Sequence, residues 1–190
     1  MEKQKKKYVL NLTLSAMFLA IGLLLPFLTG QIQQIGNMLL PMHIPVLLCG
    51  LICGWQYGLG IGAIMPFMRY AMFEMPVIFP TGTAMAFELA AYGALVGFLY
   101  NHSKWKCIIS LYRSLIAAML GGRLVWGAVM LIILGVGTDG FTWKAFFAGA
   151  FLNAFPGIIL QLILIPAIMI ALNRAGFVKF SRKKPRKTES

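Results

Sequence analysis

The chain has 190 residues, of which 59% are hydrophobic and only 12% charged, with a mean hydropathy of +0.81. A soluble domain carries about half apolar and a quarter charged residues, so a water-soluble globular fold is excluded. Of the 17 Lys and Arg, seven lie between Arg174 and Lys187 and four between Lys3 and Lys7, placing the formal charge of +12 mostly in the tails. A phosphate-tracking face would spread such charges along a folded surface, which argues against a nucleic-acid partner.

Apolar runs bounded by polar, Gly or Pro clusters fall at Val9 to Leu28, Met38 to Ile52, Trp55 to Phe73, Ala84 to Tyr100, Ile108 to Leu134 and Phe146 to Leu172. A bilayer span takes roughly 20 apolar residues, so six spans with short loops fit residues 1–172 as a single domain, leaving 173–190 as a basic tail. The first run follows a basic start as a secretory signal would. It is longer than a typical h-region of about 7 to 15 residues and lacks an A-x-A-like cleavage site, so it is expected to remain as the first membrane helix. The second and third runs are split only by Gly54-Trp55-Gln56-Tyr57-Gly58, and a single kinked or re-entrant segment is the rival reading.

Parity decides between the two. Lys and Arg near span ends mark the cytoplasmic side, and both tails are basic, so both termini are expected inside and the number of spans must be even. Counting the split pair as two satisfies this. Lys104 and Lys106 then fall inside and only Lys144 outside, while Arg69, Arg113 and Arg123 lie within the apolar runs. The fold class read from the sequence is an all-α integral membrane protein with six transmembrane helices and both termini cytoplasmic. Between the first two spans the outer loop is rich in amides, Asn37 among them. Between the third and fourth, Glu74-Met75-Pro76-Val77-Ile78-Phe79-Pro80-Thr81-Gly82 is apolar and held at both ends by proline, as a segment folding back onto protein or ligand would be. A position in the headgroup region is the alternative.

Intramembrane charges are costly and carry most of the functional information. Arg113 is about five residues from the inner end of its span and can snorkel. Counting about 1.5 Å per residue along spans of alternating direction places Arg69 near the outer end of span three, Glu88 two turns down span four, Arg123 somewhat outside the midplane of span five and Asn153 two turns down span six. Four helices thus deliver polar groups to the outer half of the bundle. One interpretation is an interior Arg-Glu pair and a satisfied Asn that fix helix register. The functional one is a ligand pocket opening outward, in which two arginines against one glutamate leave an excess positive charge for a carboxylate or phosphate to neutralise. Tyr92 and Trp126, each about one turn from Glu88 and Arg123 respectively, could wall a ring or chain. His43 and Gln161 are weaker candidates: His43 is expected to cap the outer end of span two, where a hydrogen-bonded structural role and a ligand contact are equally open.

Cys49 and Cys53, four apart on one apolar helix, are read as small core residues, and Cys107 lies in a basic loop; no disulfide scaffold or metal site is expected. The chain contains no G-x-x-x-x-G-K-[ST], no G-x-S-x-G and no H-E-x-x-H, and its five acids are scattered. It is therefore not expected to be an enzyme or to hold a cofactor.

With these residues placed, the arrangement resembles the substrate-binding S components of energy-coupling factor (ECF) transporters, which capture vitamins and related micronutrients. The size and six-span plan are similar. Ala16-Met17-Phe18-Leu19-Ala20 resembles the A-x-x-x-A motif that meets the coupling subunit. The stretch Leu40 to Gly50, followed by Gly54, Gly58 and Gly62, resembles the Pro-rich start and glycine ladder of the second and third helices. The proline-bounded loop resembles the substrate-capping loop. The resemblance implies a complex with a transmembrane coupling subunit, contacted through Ala16 and Ala20, and with two ATPases that hydrolyse ATP on its behalf. It also implies a prokaryotic plasma-membrane location, and pantothenate would suit the excess positive charge. The alternatives are a self-sufficient secondary carrier or channel, with Glu88 as proton relay, and a structural assembly protein.

Overall fold

The structure, a computed structural model, describes residues 2–28, 41–74, 76–103, 106–134, 155–176 and 178. Among these are six α-helices: α1 (Glu2–Leu28), α2 (His43–Ile52), α3 (Trp55–Phe73), α4 (Thr83–His102), α5 (Ile108–Leu134) and α6 (Phe155–Arg174). The described part of each apolar run is helical apart from Pro41 and Met42, which form a turn before α2, and α1 begins at Glu2, seven residues ahead of its run. Asn37 and Asn153, both candidate site residues, lie outside the described residues.

Among the described residues four segments are long and apolar enough to cross a bilayer: Gln4–Pro26, Ile78–His102, Ile108–Leu134 and Phe155–Arg174. The 19 residues of α3 reach about 28 Å at 1.5 Å per residue, and Gln56, Arg69 and its glycines dilute its apolar character. The 10 residues of α2 reach only about 15 Å, half a hydrocarbon core. Between α2 and α3 the helix is interrupted at Cys53 and Gly54. Gly54 has φ 111°, a left-handed conformation that favours glycine, and Asn11 Nδ2 of α1 donates to the Cys53 carbonyl at 3.2 Å, holding the break against the first helix.

The centre of the bundle is α4, which packs against α2, α3 and α5. Its approach to α2 and α3 is backbone to backbone. A Cβ built on Gly93 would overlap the Gly58 backbone, and one on Gly62 would overlap the carbonyl of Leu89. A Cβ on Gly97 would fall 2.6 Å from the Gly50 carbonyl oxygen. Only glycine permits such contact, and in a bilayer this close packing replaces the hydrophobic drive that lipid cannot supply. Around these contacts Leu47, Tyr92, Val96, Leu111, Leu115 and Ile165 form one buried cluster, and Val46, Cys49, Met65 and Leu89 another.

The outward faces are apolar: Ile109 is 69% exposed, Leu124 67% and Ile132 82%. Such continuous exposure would be an aggregation liability in water and is the expected surface toward lipid. Helix α1 is the least covered. Leu12, Ala16, Ala20 and Leu24, spaced four apart, form an exposed stripe along it, while Ser15 on the opposite side reaches Cys49 Sγ at 3.5 Å.

Candidate functional site

The tight α2–α3–α4 packing determines what surrounds Glu88. His43, the first residue of α2, is buried beside α4 with its Nε2 3.6 Å from Glu88 Oε1. From the other side α5 brings Arg123, whose Nη1 is 2.9 Å from the same oxygen. Tyr92, one turn along α4, meets the His43 ring edge-on, with centroids 5.0 Å apart and planes at 78°. Gly122, beside Arg123, gives that tyrosine its space, since a Cβ there would fall 2.9 Å from the ring. Three elements thus build one cluster in which the His43, Glu88 and Arg123 side chains are 1% to 6% exposed.

The pairing is incomplete. Arg123 Nε and Nη2 and His43 Nδ1 and Nε2 are buried without a hydrogen-bond partner, and the Glu88 Oε1 contacts are close approaches rather than aligned hydrogen bonds. A buried donor left unmatched costs about 1 to 3 kcal/mol. The Arg123 guanidinium therefore keeps more donor capacity than the one carboxylate absorbs, and the cluster is suited to receive further acceptor oxygens, as carboxylates and phosphates present them.

The structure brings together Glu88, Arg123 and Tyr92, three of the residues singled out from the sequence. It does not bring Arg69 into the buried cluster. Gly58 faces Gly93 and Gly62 faces Leu89 across two antiparallel helices, so Arg69 is level with Gly82, about 9 Å from Glu88 along the axis, and its side chain is partly exposed. The excess positive charge expected from two arginines is thus not concentrated on Glu88. Trp126 is half-buried one turn along α5 from Arg123. His43 takes the place beside Glu88. Its position as the lone imidazole at the start of an apolar helix, bracketed by Pro41 and Pro45, was the only signal available. Among the described residues no three His, Cys, Asp or Glu side chains gather as metal ligands would.

Just before the helix that carries Glu88, Ile78–Gly82 forms a short wide turn, closed by Gly82 N–H donating to the Val77 carbonyl at 2.9 Å and Thr83 Oγ1 to that of Ile78 at 2.9 Å. Val77 and Phe79 are 63% and 65% exposed. The apolar tip expected to fold back onto protein or ligand is uncovered, standing on the helix that carries Glu88.

Residues 10–169 match the family model described as "ECF transporter, substrate-specific component", and the chain belongs to that family. It is therefore a substrate-specific subunit of a membrane transporter rather than an enzyme, and its family associates with ECF membrane and ATPase components. No curated protein and no solved structure matches the chain.

Proposed function

We propose that the chain is the high-affinity binding subunit of an ATP-driven ECF importer for an anionic, vitamin-like micronutrient of which pantothenate is the type. It crosses a prokaryotic plasma membrane six times, with both termini inside. The carboxylate of the ligand is held from the outer side by Arg123 with His43, while Glu88 fixes the guanidinium and Tyr92 walls the pocket. Asn37, Arg69, Trp126 and Asn153 contribute from the surrounding helices and the first loop. The single observation that carries this reading is the buried Arg123, engaged by Glu88 through Nη1 yet leaving Nε and Nη2 without acceptors. The distribution of Lys and Arg supports the topology.

The exposed Val77–Phe79 tip supports a closing role: burying it over bound ligand would exclude water from the charge pair and strengthen each contact. The exposed Ala16 and Ala20 support docking of α1 on the coupling subunit, since small side chains let helix backbones approach closely. Two ATPases acting through that subunit supply the energy. Mass spectrometry of small molecules released from the purified, detergent-solubilised protein tests the proposal. An acidic molecule of vitamin size at near-stoichiometric yield is expected, and a neutral or cationic one would contradict the ligand class.

A further inference from the structure

A second polar pocket lies at the far end of the bundle from Glu88. It has a volume of about 410 Å³ and is lined by Lys7 and Asn11 of α1, Cys53 at the α2–α3 break, Tyr100 and Asn101 of α4, and Lys106 beyond α4. Tyr100 is twelve residues beyond Glu88, about 18 Å along the helix, so the pocket has no part in the cluster described above. Among the described residues no carboxylate lines it. Lys106 is held in place by donating to Asn101 Oδ1 at 3.3 Å, with its ammonium 5.6 Å from the centre of the Tyr100 ring. Tyr100 is 1% exposed, and its hydroxyl makes no hydrogen bond.

Two ammonium groups and a buried hydroxyl around one acid-free pocket match an anion with several acceptor oxygens and more than one neighbouring cation, the chemistry of phosphate. The pocket is at the membrane face where the chain is most basic. Lys3, Lys5 and Lys6 precede Lys7, and six more Lys and Arg follow Val178, itself a lining residue. Such segments concentrate anionic headgroups, at about 1 kcal/mol for each cation near the surface. We propose that this pocket is a phosphate-binding site formed by Lys7, Lys106 and the Tyr100 hydroxyl, which seats the headgroup of an anionic phospholipid from the adjoining leaflet. This site is independent of the micronutrient reading.

The test uses the full chain in nanodiscs of phosphatidylcholine. In one arm a minor fraction of phosphatidylglycerol is added and retained lipid is counted by native mass spectrometry. In the other, inorganic phosphate is titrated into neutral discs and the unfolding midpoint followed. Wild type is expected to retain phosphatidylglycerol over phosphatidylcholine. Lys7→Gln with Lys106→Gln should cut retention about tenfold or more, from roughly fivefold per ammonium, and Lys7→Arg with Lys106→Arg should restore it. Tyr100→Phe, which keeps the buried ring, should weaken retention a few-fold. A response confined to the lipid arm assigns the headgroup, whereas saturable stabilisation by inorganic phosphate that the glutamine pair abolishes assigns a soluble phosphate at the same site. If the folded glutamine pair matches wild type in both arms, or wild type shows no preference in either, the site is refuted.

Discussion

Arg123 of α5 and Glu88 of α4 stand 2.9 Å apart with side chains 6% and 2% exposed, so α4 and α5 are joined inside the bundle by opposite charges. On insertion scales each charge costs about 2.5 to 3.5 kcal/mol at mid-membrane, and pairing offsets much of it. The arginine nonetheless keeps two nitrogens without a protein acceptor. A pair serving stability alone would be expected to saturate its donors, because buried unmet donors destabilise; a guanidinium held at one corner and open at the other suits a binding site.

The ion pair predicts strong non-additivity. Glu88→Gln leaves an unpaired buried guanidinium and should destabilise the solubilised protein by about 3 to 5 kcal/mol, as removal of one member of a buried pair does. Arg123→Gln should act similarly. The double substitution removes both charges and should cost much less than the two singles together. A double-mutant cycle on unfolding in detergent checks this, and additive effects would mean that the two groups do not pair.

Two glycines on one face-sharing helix give an internal contrast. A Cβ on Gly62 meets the backbone of Leu89 and Ala90, whereas nothing lies within 4 Å of one on Gly60. Gly62→Ala should cost about 1 to 3 kcal/mol by overpacking. Gly60→Ala should be neutral or stabilising by up to about 1 kcal/mol through its helix propensity. Unfolding midpoints of the two variants measure the difference, and equal shifts would contradict the α3–α4 contact.

Replacing both Ala16 and Ala20 with Leu should abolish uptake by the assembled transporter while equilibrium ligand binding by the isolated subunit survives. Bulk on this exposed stripe would hold a partner helix away without disturbing the interior. Uptake assays beside binding isotherms separate the two, and joint failure would assign the stripe to the protein's own fold.

Most of the helical plan was legible because apolar run length and Gly or Pro breaks act locally: the runs at Trp55 to Phe73 and Ile108 to Leu134 are the helices themselves. Depth along a helix is also local, and it put Glu88 and Arg123 at similar depth in the bundle with Tyr92 one turn from Glu88. Lateral placement is not local. Whether Arg69 or His43 stands beside Glu88 depends on how closely α2 and α3 approach α4, which Gly50, Gly58, Gly62, Gly93 and Gly97 set between them. Glycines recur in that stretch of sequence, but their partners on α4 are visible only in three dimensions. The second pocket was likewise hidden, because Lys7 and Lys106 lie 99 positions apart and each resembles an ordinary interfacial lysine.

The central claim is that Arg123 holds an anionic ligand group in the outer half of the bundle, and equilibrium binding of a radiolabelled vitamin panel to wild type and Arg123→Gln, without nucleotide, tests it most directly. Wild type should prefer an acidic vitamin such as pantothenate. Arg123→Gln, checked to be folded, should weaken that binding by about 1.5 to 3 kcal/mol, the loss of a charge-assisted hydrogen bond, or roughly ten- to a hundredfold in Kd. Preference for a neutral vitamin such as riboflavin, at an affinity unchanged in folded Arg123→Gln, would contradict the account.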